Sequence, residues 1–161
     1  MIDTQSIKTE IISIVEEWQP RLESLSNEII TQRRNSQNRT IKQILGHTID
    51  SASNNIHRIV QLQYQQSPLI FPNYATFGNN DKWIAIQDYQ HEEWMNMIQL
   101  WKYSLLHICH VIMHVDSSKL NNEWIAGLGE MVTLEAMING FTGHLKLHLS
   151  EINELINTKL I

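Results

Sequence analysis

TIKQILGHTIDSASNNI, residues 40–56, carries apolar side chains at the spacing of an α-helix, and this stretch decides the fold class. The apolar stripe consists of Ile41, Ile44, Leu45, Ile49, Ala52, Ile56 and Ile59. Thr40 can accept the first free backbone N–H groups, and Gln43 follows at the position that completes a capping box. The pattern therefore predicts an amphipathic helix over residues 40–65.

Three further long segments repeat this helical period, over residues 4–30, 91–114 and 129–157, the last with an alternative start at residue 133. Pro20 lies inside the first segment and predicts a kink or break there, because proline removes a backbone donor. A short helix is also predicted over residues 81–88. Four amphipathic helices indicate an all-α fold, a four-helix bundle.

The long segment after the second helix, residues 66–82, interrupts the helical pattern with Pro68, Pro72 and Gly78. Its apolar residues are Leu69, Ile70, Phe71, Tyr74 and Phe77. Such a loop can form a lid or the wall of a site. Its aromatic side chains can instead cap one end of the bundle core. We favour this second interpretation, although the two are compatible. A second connection, over residues 115–128, is predicted to be irregular.

Composition limits the classes of function. The chain has 161 residues, for which we expect one domain over residues 1–161. A net charge of −5 and the absence of a basic stripe disfavour nucleic-acid binding. Cys109 is the only cysteine, so no intrachain disulfide can form. We see neither a signal peptide nor a membrane-spanning stretch, and expect a soluble cytoplasmic protein.

His144 and His148 in FTGHLKLHLSEI, residues 141–152, lie four residues apart and so project from one side of a helix. His47 adjoins the apolar stripe of a second helix. Three imidazoles from facing helices, with positions left open, are typical of a catalytic metal site. A His-x3-His pair alone is a weak signal, and hydrogen bonds to carboxylates or water are an alternative for these histidines.

Asp50 lies one turn beyond His47 and admits several interpretations. It could orient a ligand as a hydrogen-bond acceptor, serve as a fourth ligand, or act as a general base. A solvated or helix-capping carboxylate is an equally good interpretation from spacing alone.

His107, His110 and His114 form a rival cluster on one face of the third long helix. They could make a second metal site or a pH-sensitive interface. We favour a semi-exposed helix flank, because one helix alone rarely encloses an ion. His57 and His91 are predicted at the surface, and Cys109 is interpreted as a buried apolar residue.

Two motifs resemble the DinB-like family of metalloproteins. IKQILGHTIDSASNNIHR is similar to the family's second-helix signature, a Leu-Gly-His followed by a small apolar residue and Asp. FTGHLKLHLSEI resembles its last-helix signature, a His-x3-His pair. The segment that begins at residue 91 also resembles the third helix of one DinB-like branch, so the resemblance covers nearly the whole chain.

The resemblance implies a four-helix bundle, often dimeric, with a metal held by His47, His144 and His148, the set also suggested by spacing. Members with known activity include metal-dependent thiol transferases and thiol-dependent isomerases or hydrolases. Arg39-Thr40 replaces a frequent Trp-Ser, which keeps a cap but loses a packing anchor. Leu147-His148 replaces a frequent pair of adjacent histidines.

Two hypotheses about function follow. In the first, zinc or nickel bound by the three histidines activates a low-molecular-weight thiol or water toward a small electrophile, with Asp50 as the catalytic orienter or base. In the second, the bundle is a non-catalytic dimeric scaffold or stress sensor, with a structural metal or none. The expected partners are a small-molecule substrate and a second copy of the chain, with neither nucleic acid nor membrane.

Overall fold

A computed structural model of the chain describes residues 2–72, 74–75 and 79–158. Its helices are α1 (Thr4–Glu23), α2 (Asn27–Gln32), α3 (Ile41–Tyr64), α4 (Asn79–Gln87), α5 (Trp94–Met113) and α6 (Leu134–Asn157). Two short strands, β1 (Glu123–Ile125) and β2 (Met131–Thr133), pair antiparallel between α5 and α6. Phe77 and Gly78, which belong to the predicted long loop, lie outside the described residues.

The four long helices α1, α3, α5 and α6 form the predicted bundle around one apolar core. α5 packs against both α1 and α3, and α6 packs against the same two helices from the other side. Going around the bundle, the order is therefore α1, α5, α3 and α6. Helices α1 and α3 are diagonal neighbours, as are α5 and α6, so long connections must cross the ends of the bundle.

Local sequence signals explain where α3 and α6 begin. The Thr40 side chain accepts a hydrogen bond from the backbone N–H of Gln43. The Gln43 side chain in turn accepts a hydrogen bond from the backbone N–H of Thr40. This confirms the predicted capping box. Thr133 caps α6 by accepting from the backbone N–H of Ala136, 3.1 Å away, and this selects the later of the two predicted starts.

The first predicted segment is interrupted beyond Pro20 rather than at it. α1 continues through Pro20 to Glu23, and the backbone N–H of Ser24 still bonds the Pro20 carbonyl at 3.2 Å. Pro20 lacks the N–H that would bond the Glu16 carbonyl, and α1 ends three residues after it. Ser26 then starts α2 by accepting from Ile29, so two serines set the break.

The connection between α5 and α6 is more regular than its sequence indicates. It contains two 3₁₀ turns, Ser117–Lys119 and Gly127–Gly129, and the β1–β2 hairpin. Leu69 from the loop after α3 adds backbone hydrogen bonds to β1, to the Glu123 carbonyl at 2.8 Å and from the Ile125 N–H at 3.0 Å. The two long connections are therefore joined at one end of the bundle.

A helix that crosses a bilayer must be both long and apolar. Within the described residues, none is both long and apolar enough to cross a membrane.

Candidate metal centre

His47 on α3 and His144 and His148 on α6 meet between the two helices. One ring nitrogen from each histidine lies within 4.8 Å of the others. The ring centroids of His47 are 4.5 Å from His148 and 5.4 Å from His144. The predicted i, i+4 pair thus faces the predicted third histidine across a helix–helix contact. Among the described residues, no other group of three or more His, Cys, Asp or Glu side chains meets the same distance criterion.

The outer nitrogens of the α6 pair are held by polar side chains. Nδ1 of His148 lies 3.2 Å from a carboxylate oxygen of Glu151, and Nδ1 of His144 lies 3.3 Å from the Ser51 hydroxyl. An ionised carboxylate can only accept, so this contact pairs an N–H at Nδ1 of His148 with Glu151 and leaves Nε2 facing the other histidine of the pair. That Nε2 lies 3.2 Å from Nε2 of His144.

Electrostatics keep two of these imidazoles neutral. Burial, with the neighbouring His148 and His144, lowers the pKa of His47 to about 3. Burial and the neighbouring His148 lower the pKa of His144 to about 4. A neutral imidazole is the form that can offer a lone pair to a metal ion.

Nδ1 of His47 is buried without a hydrogen bond of normal geometry, as is the side-chain oxygen of Asn80. The Asn80 side chain nevertheless interacts with His47 and favours its protonated form. A hydrogen bond between the two side chains would fix the orientation of the ring, as the polar partners of metal-binding histidines commonly do. Asn80 belongs to α4, so this helix lies over the His47 side of the cluster.

Asp50 lies on a different side of α3 from the cluster. Its carboxylate is buried and accepts hydrogen bonds from the Tyr89 hydroxyl at 2.6 Å and the Gln87 amide at 3.1 Å. Burial raises the pKa of Asp50, while Tyr89 and other donors oppose that rise. The carboxylate is therefore neither solvated nor a helix cap. The structure does not bring it into hydrogen-bond contact with any of the three histidines.

Gly46 explains how Tyr89 reaches Asp50. A side-chain carbon built on Gly46 would lie 2.1 Å from the ring of Tyr89, so only glycine leaves room for the ring against α3. The Leu-Gly-His motif thus has a packing role one residue before the metal candidate.

A cavity of about 600 Å³ opens beside the cluster. Its walls come from α3, the loop after α3, the hairpin region and α6. The residues that line it include His47, Ser51, Asn55, Arg58, Tyr74, Asn80, Trp124, Leu128, Glu130, Met137, Phe141 and His144. Tyr74 belongs to the predicted loop and is buried near His47, which supports the interpretation of this loop as a wall of the site.

The rival histidines lie on an exposed flank of α5, as favoured by the sequence. The rings of His110 and His114 are 4.4 Å apart, and Nδ1 of His114 lies 2.7 Å from the His110 carbonyl at the end of the helix. His57 and His91 are exposed, and Cys109 is buried.

Three participants were not singled out from the sequence, namely Ser51, Glu151 and Arg58. Glu151 follows His148 by three residues and Ser51 follows His47 by four, spacings that place them one turn away on the same helix side. That spacing was a usable signal for both. Arg58 lies eleven residues beyond His47, which is three helical turns. Its place at the site could be recognised only once the cavity was known.

Neither a family model nor a curated protein matches this sequence. Solved structures do match its fold. YfiT from Bacillus subtilis, described as a probable metal-dependent hydrolase with an unusual four-helix bundle topology, aligns with a TM-score of 0.77 and 18% identity, over 96% of this chain and 88% of its own. Two structures of mycothiol-dependent maleylpyruvate isomerase, one with a histidine replaced by alanine, align with a TM-score of 0.74 and 10% sequence identity.

The isomerase match covers 94% of this chain and 61% of the isomerase. At these identities the likeness concerns the fold. The DinB-like four-helix bundle predicted from the two histidine motifs is confirmed as the architecture of the chain.

Proposed function

We propose that this chain is a metal-dependent enzyme in which His47, His144 and His148 hold one divalent ion, zinc or nickel. The observation that carries the proposal is the convergence of three ring nitrogens within 4.8 Å beside a cavity of about 600 Å³. YfiT, which shares the fold, is described as a probable metal-dependent hydrolase, and this supports the proposal.

The two α6 nitrogens have a separation that suits such an ion, and the His47 nitrogen lies within 4.8 Å of them. Two nitrogens bound to one tetrahedral zinc at about 2.0–2.1 Å lie about 3.3 Å apart, close to the 3.2 Å between the Nε2 atoms of His144 and His148. Two lone pairs facing each other at this distance repel unless a cation or a proton lies between them. Imidazole ligands suit zinc and also nickel.

The proposed reaction transfers a low-molecular-weight thiol to an electrophilic small molecule. The sulfur forms a bond to the electrophilic carbon, the leaving group departs with its electron pair, and the thiol proton passes to a base. A divalent ion with an open position lowers the pKa of a thiol or water that it binds. The thiol assignment is supported by the mycothiol dependence of the isomerase that shares the fold.

The residues around the ligands have separate tasks in this proposal. Glu151 and Ser51 orient His148 and His144 through their Nδ1 atoms. The catalytic role predicted for Asp50 stays a prediction. Its contacts with Tyr89 and Gln87 favour a positioning role, in which it holds the segment after α4 against α3.

The test is elemental analysis of untagged protein purified without chelator, beside His47→Ala, His144→Ala and His148→Ala. We expect about one divalent ion per chain in the wild type and loss of that ion in each variant. His107→Ala is the matched control and should retain the metal. A variant that carries all three substitutions and still binds one ion per chain would refute the site. It would direct attention to His107, His110 and His114.

A metal ion that the wild type binds but that only stabilises the fold would favour the non-catalytic scaffold instead. In that case the metal-free variants should unfold, and the wild-type ion should bind no exchangeable water. A folded, metal-free His144→Ala protein would favour the open, catalytic site and would justify screening thiols with electrophilic substrates. The homodimer and the cytoplasmic location remain predictions, the first open to size-exclusion chromatography with light scattering.

A further inference from the structure

A polar stripe runs along the cavity side of α3. It consists of His47, Ser51, Asn55 and Arg58, which are spaced by one helical turn each and all line the cavity beside the histidines. A stripe of this kind beside the apolar face of a core helix marks a surface that faces a ligand or water rather than apolar side chains. Arg58 ends the stripe, about 16 Å along the helix axis from His47 at 1.5 Å per residue.

Arg58 is a buried cation without a counter-charge. Only 6% of its surface is exposed, and its Nε is buried without a hydrogen-bond partner. Among the described residues, no carboxylate forms an ion pair with its guanidinium. Burial lowers its pKa, yet arginine stays protonated in proteins. An uncompensated buried charge is costly, so the position favours an anion supplied from outside.

Aromatic rings hold the guanidinium in place. Its central carbon lies 4.1 Å from the Trp124 ring centroid and 5.1 Å from that of Phe71. These contacts come from the two connections joined at the end of the bundle, and they stabilise the cation through its faces. They leave the buried Nε without a hydrogen-bond acceptor among the described residues.

Arg21 shows what an arginine with a purely structural role looks like in this chain. It also lies over a tryptophan, 4.0 Å from the Trp18 ring centroid. Its N–H groups, however, bond the carboxylate of Glu17 at 3.2 Å and the amide of Asn153 at 2.5 Å. Stacking on tryptophan therefore does not require the guanidinium edge to be left open, as it is at Arg58.

We propose that Arg58 binds a carboxylate group of the small molecule that occupies the cavity, with the three histidines at the other end. The planar guanidinium fork matches a carboxylate in a bidentate fashion. Glu130 is the one carboxylate among the described lining residues, and it is exposed. The inference names a substrate class for the proposed metal enzyme and rests on that proposal for the chemistry, but the anion subsite is testable separately.

The span between the two ends sets the shape of the ligand. Because Cα–Cβ bonds in a helix tilt toward its start, the guanidinium can lie closer to the histidines than the distance of about 16 Å along the axis. A molecule that reaches both ends carries its carboxylate several bonds away from the reacting atom. Among straight-chain probes, an intermediate length should therefore bind best.

The test measures binding of hexanoate and of uncharged hexanamide by titration calorimetry to metal-loaded wild type. The variants are Arg58→Met, Arg58→Lys and the matched control Arg21→Met. We expect hexanoate to bind at least about tenfold more tightly than hexanamide, since a charge-assisted hydrogen bond contributes about 1.5–3 kcal/mol. Arg58→Met should abolish this preference, Arg58→Lys should reduce it, and Arg21→Met should leave it unchanged.

His144→Ala separates this inference from the metal proposal. If the preference for hexanoate survives in that variant, the carboxylate binds at Arg58 whether or not a metal is present. If the preference is lost there and retained in Arg58→Met, the carboxylate binds the ion itself and the inference is wrong. Equal binding of hexanoate and hexanamide to the wild type, or no binding of either in the millimolar range, also overturns it, and this needs no variant to fold.

A series of ω-mercaptoalkanoates from mercaptopropanoate to mercaptooctanoate, with the matching mercaptoalkanols, then tests whether both ends act on one molecule. We expect the carboxylate to add affinity in the wild type at an intermediate chain length. In Arg58→Met the acids and alcohols should bind alike at every length. A carboxylate effect that is independent of chain length would contradict a single bridging ligand.

Discussion

At the scale of single residues, Gly46 is a position that has no room for a side chain. The Tyr89 ring occupies the space that any side chain at this position would need. We expect Gly46→Ala to lower the free energy of unfolding by about 1–3 kcal/mol through overpacking, despite the higher helix propensity of alanine. Urea unfolding measures this change.

Gly143→Ala on α6 is the control for that substitution, because nothing lies within 4 Å of a carbon added there. This variant should gain up to about 1 kcal/mol from helix propensity alone. If Gly46→Ala were stabilising as well, the close packing of Tyr89 on α3 would be refuted.

The Tyr89 hydroxyl is a second residue on which stability depends, because it donates a hydrogen bond of 2.6 Å to the buried carboxylate of Asp50. Tyr89→Phe keeps the ring but leaves a carboxylate oxygen short of a donor. We expect a loss of about 1.5–3 kcal/mol in urea unfolding, typical of a hydrogen bond to a charged group. Tyr64→Phe, at a site 67% exposed, should change stability little. Equal effects would mean that Asp50 does not depend on this bond.

Cys109 gives a pH dependence whose sign can be worked out. Burial raises the pKa of the thiol from 9.0 to about 11, so the unfolded chain loses this proton first. The contribution of the buried thiol to the free energy of unfolding is complete below about pH 9. It falls by about 1.4 kcal/mol per pH unit above this and has disappeared at about pH 11. Relative to Cys109→Ala, the wild type should lose stability by up to about 2.7 kcal/mol over this range in denaturant titrations. Parallel curves for the two proteins would contradict the shift.

How far the sequence predicts the site depends on the residue. Helical spacing brings His144 and His148 to one side of α6 without any knowledge of the fold, and the apolar stripe on α3 turns His47 toward the core. Asp50 shows the limit of this reasoning. Its spacing from His47 is compatible with a shared site, but the Tyr89 ring on Gly46 draws the carboxylate to another face.

At the scale of the elements, the caps decide where the bundle helices begin. Thr40 is fully buried, and its hydroxyl both receives the Gln43 N–H at 3.3 Å and lies 2.7 Å from the Gln90 side chain. Thr40→Ala should cost about 1–2 kcal/mol in thermal or urea unfolding. Thr9→Ala, an exposed site within α1, should cost a few tenths, and a similar loss in both would argue against the capping box.

Element boundaries follow from sequence where a periodic face is long. The apolar residues that recur at helical spacing along α5 are all buried, namely Trp94, Met97, Ile98, Trp101, Leu105, Ile108 and Ile112. The helix begins at Trp94 rather than at the predicted residue 91, because the Glu93 side chain accepts the N–H of Met95 at 2.8 Å and ends the preceding turn. The β1–β2 hairpin was not predicted, since three-residue strands carry too few positions to show alternation.

At the scale of the whole molecule, the proposed ion would join parts of the chain that are far apart in sequence. His47 lies on α3 and the other two ligands on α6, so the unfolded chain cannot offer the same site. Metal at one hundred times its dissociation constant should add about 2.7 kcal/mol to the free energy of unfolding. Melting curves with and without zinc measure this gain, which His144→Ala should lose and His107→Ala should keep.

The order of helices around the bundle lies beyond the sequence pattern. Each stripe specifies that a helix is buried on one side but not which helix lies opposite. Consecutive helices in simple bundles are neighbours, whereas α1 and α3 are diagonal here. The fold class was therefore predictable from periodicity, whereas the order of the helices was not predicted. The assignment of residues 1–161 to one domain stays a prediction.

The division of labour around the cavity has an evolutionary consequence. The metal candidates belong to two long core helices, whereas Trp124, Leu128 and Glu130 belong to the connection between α5 and α6. A lineage can lengthen, shorten or exchange that connection while the histidines keep their places. Under the proposed function, the selectivity of the cavity could thus change without any change at the histidines, and grafting this segment between proteins of this architecture would test that.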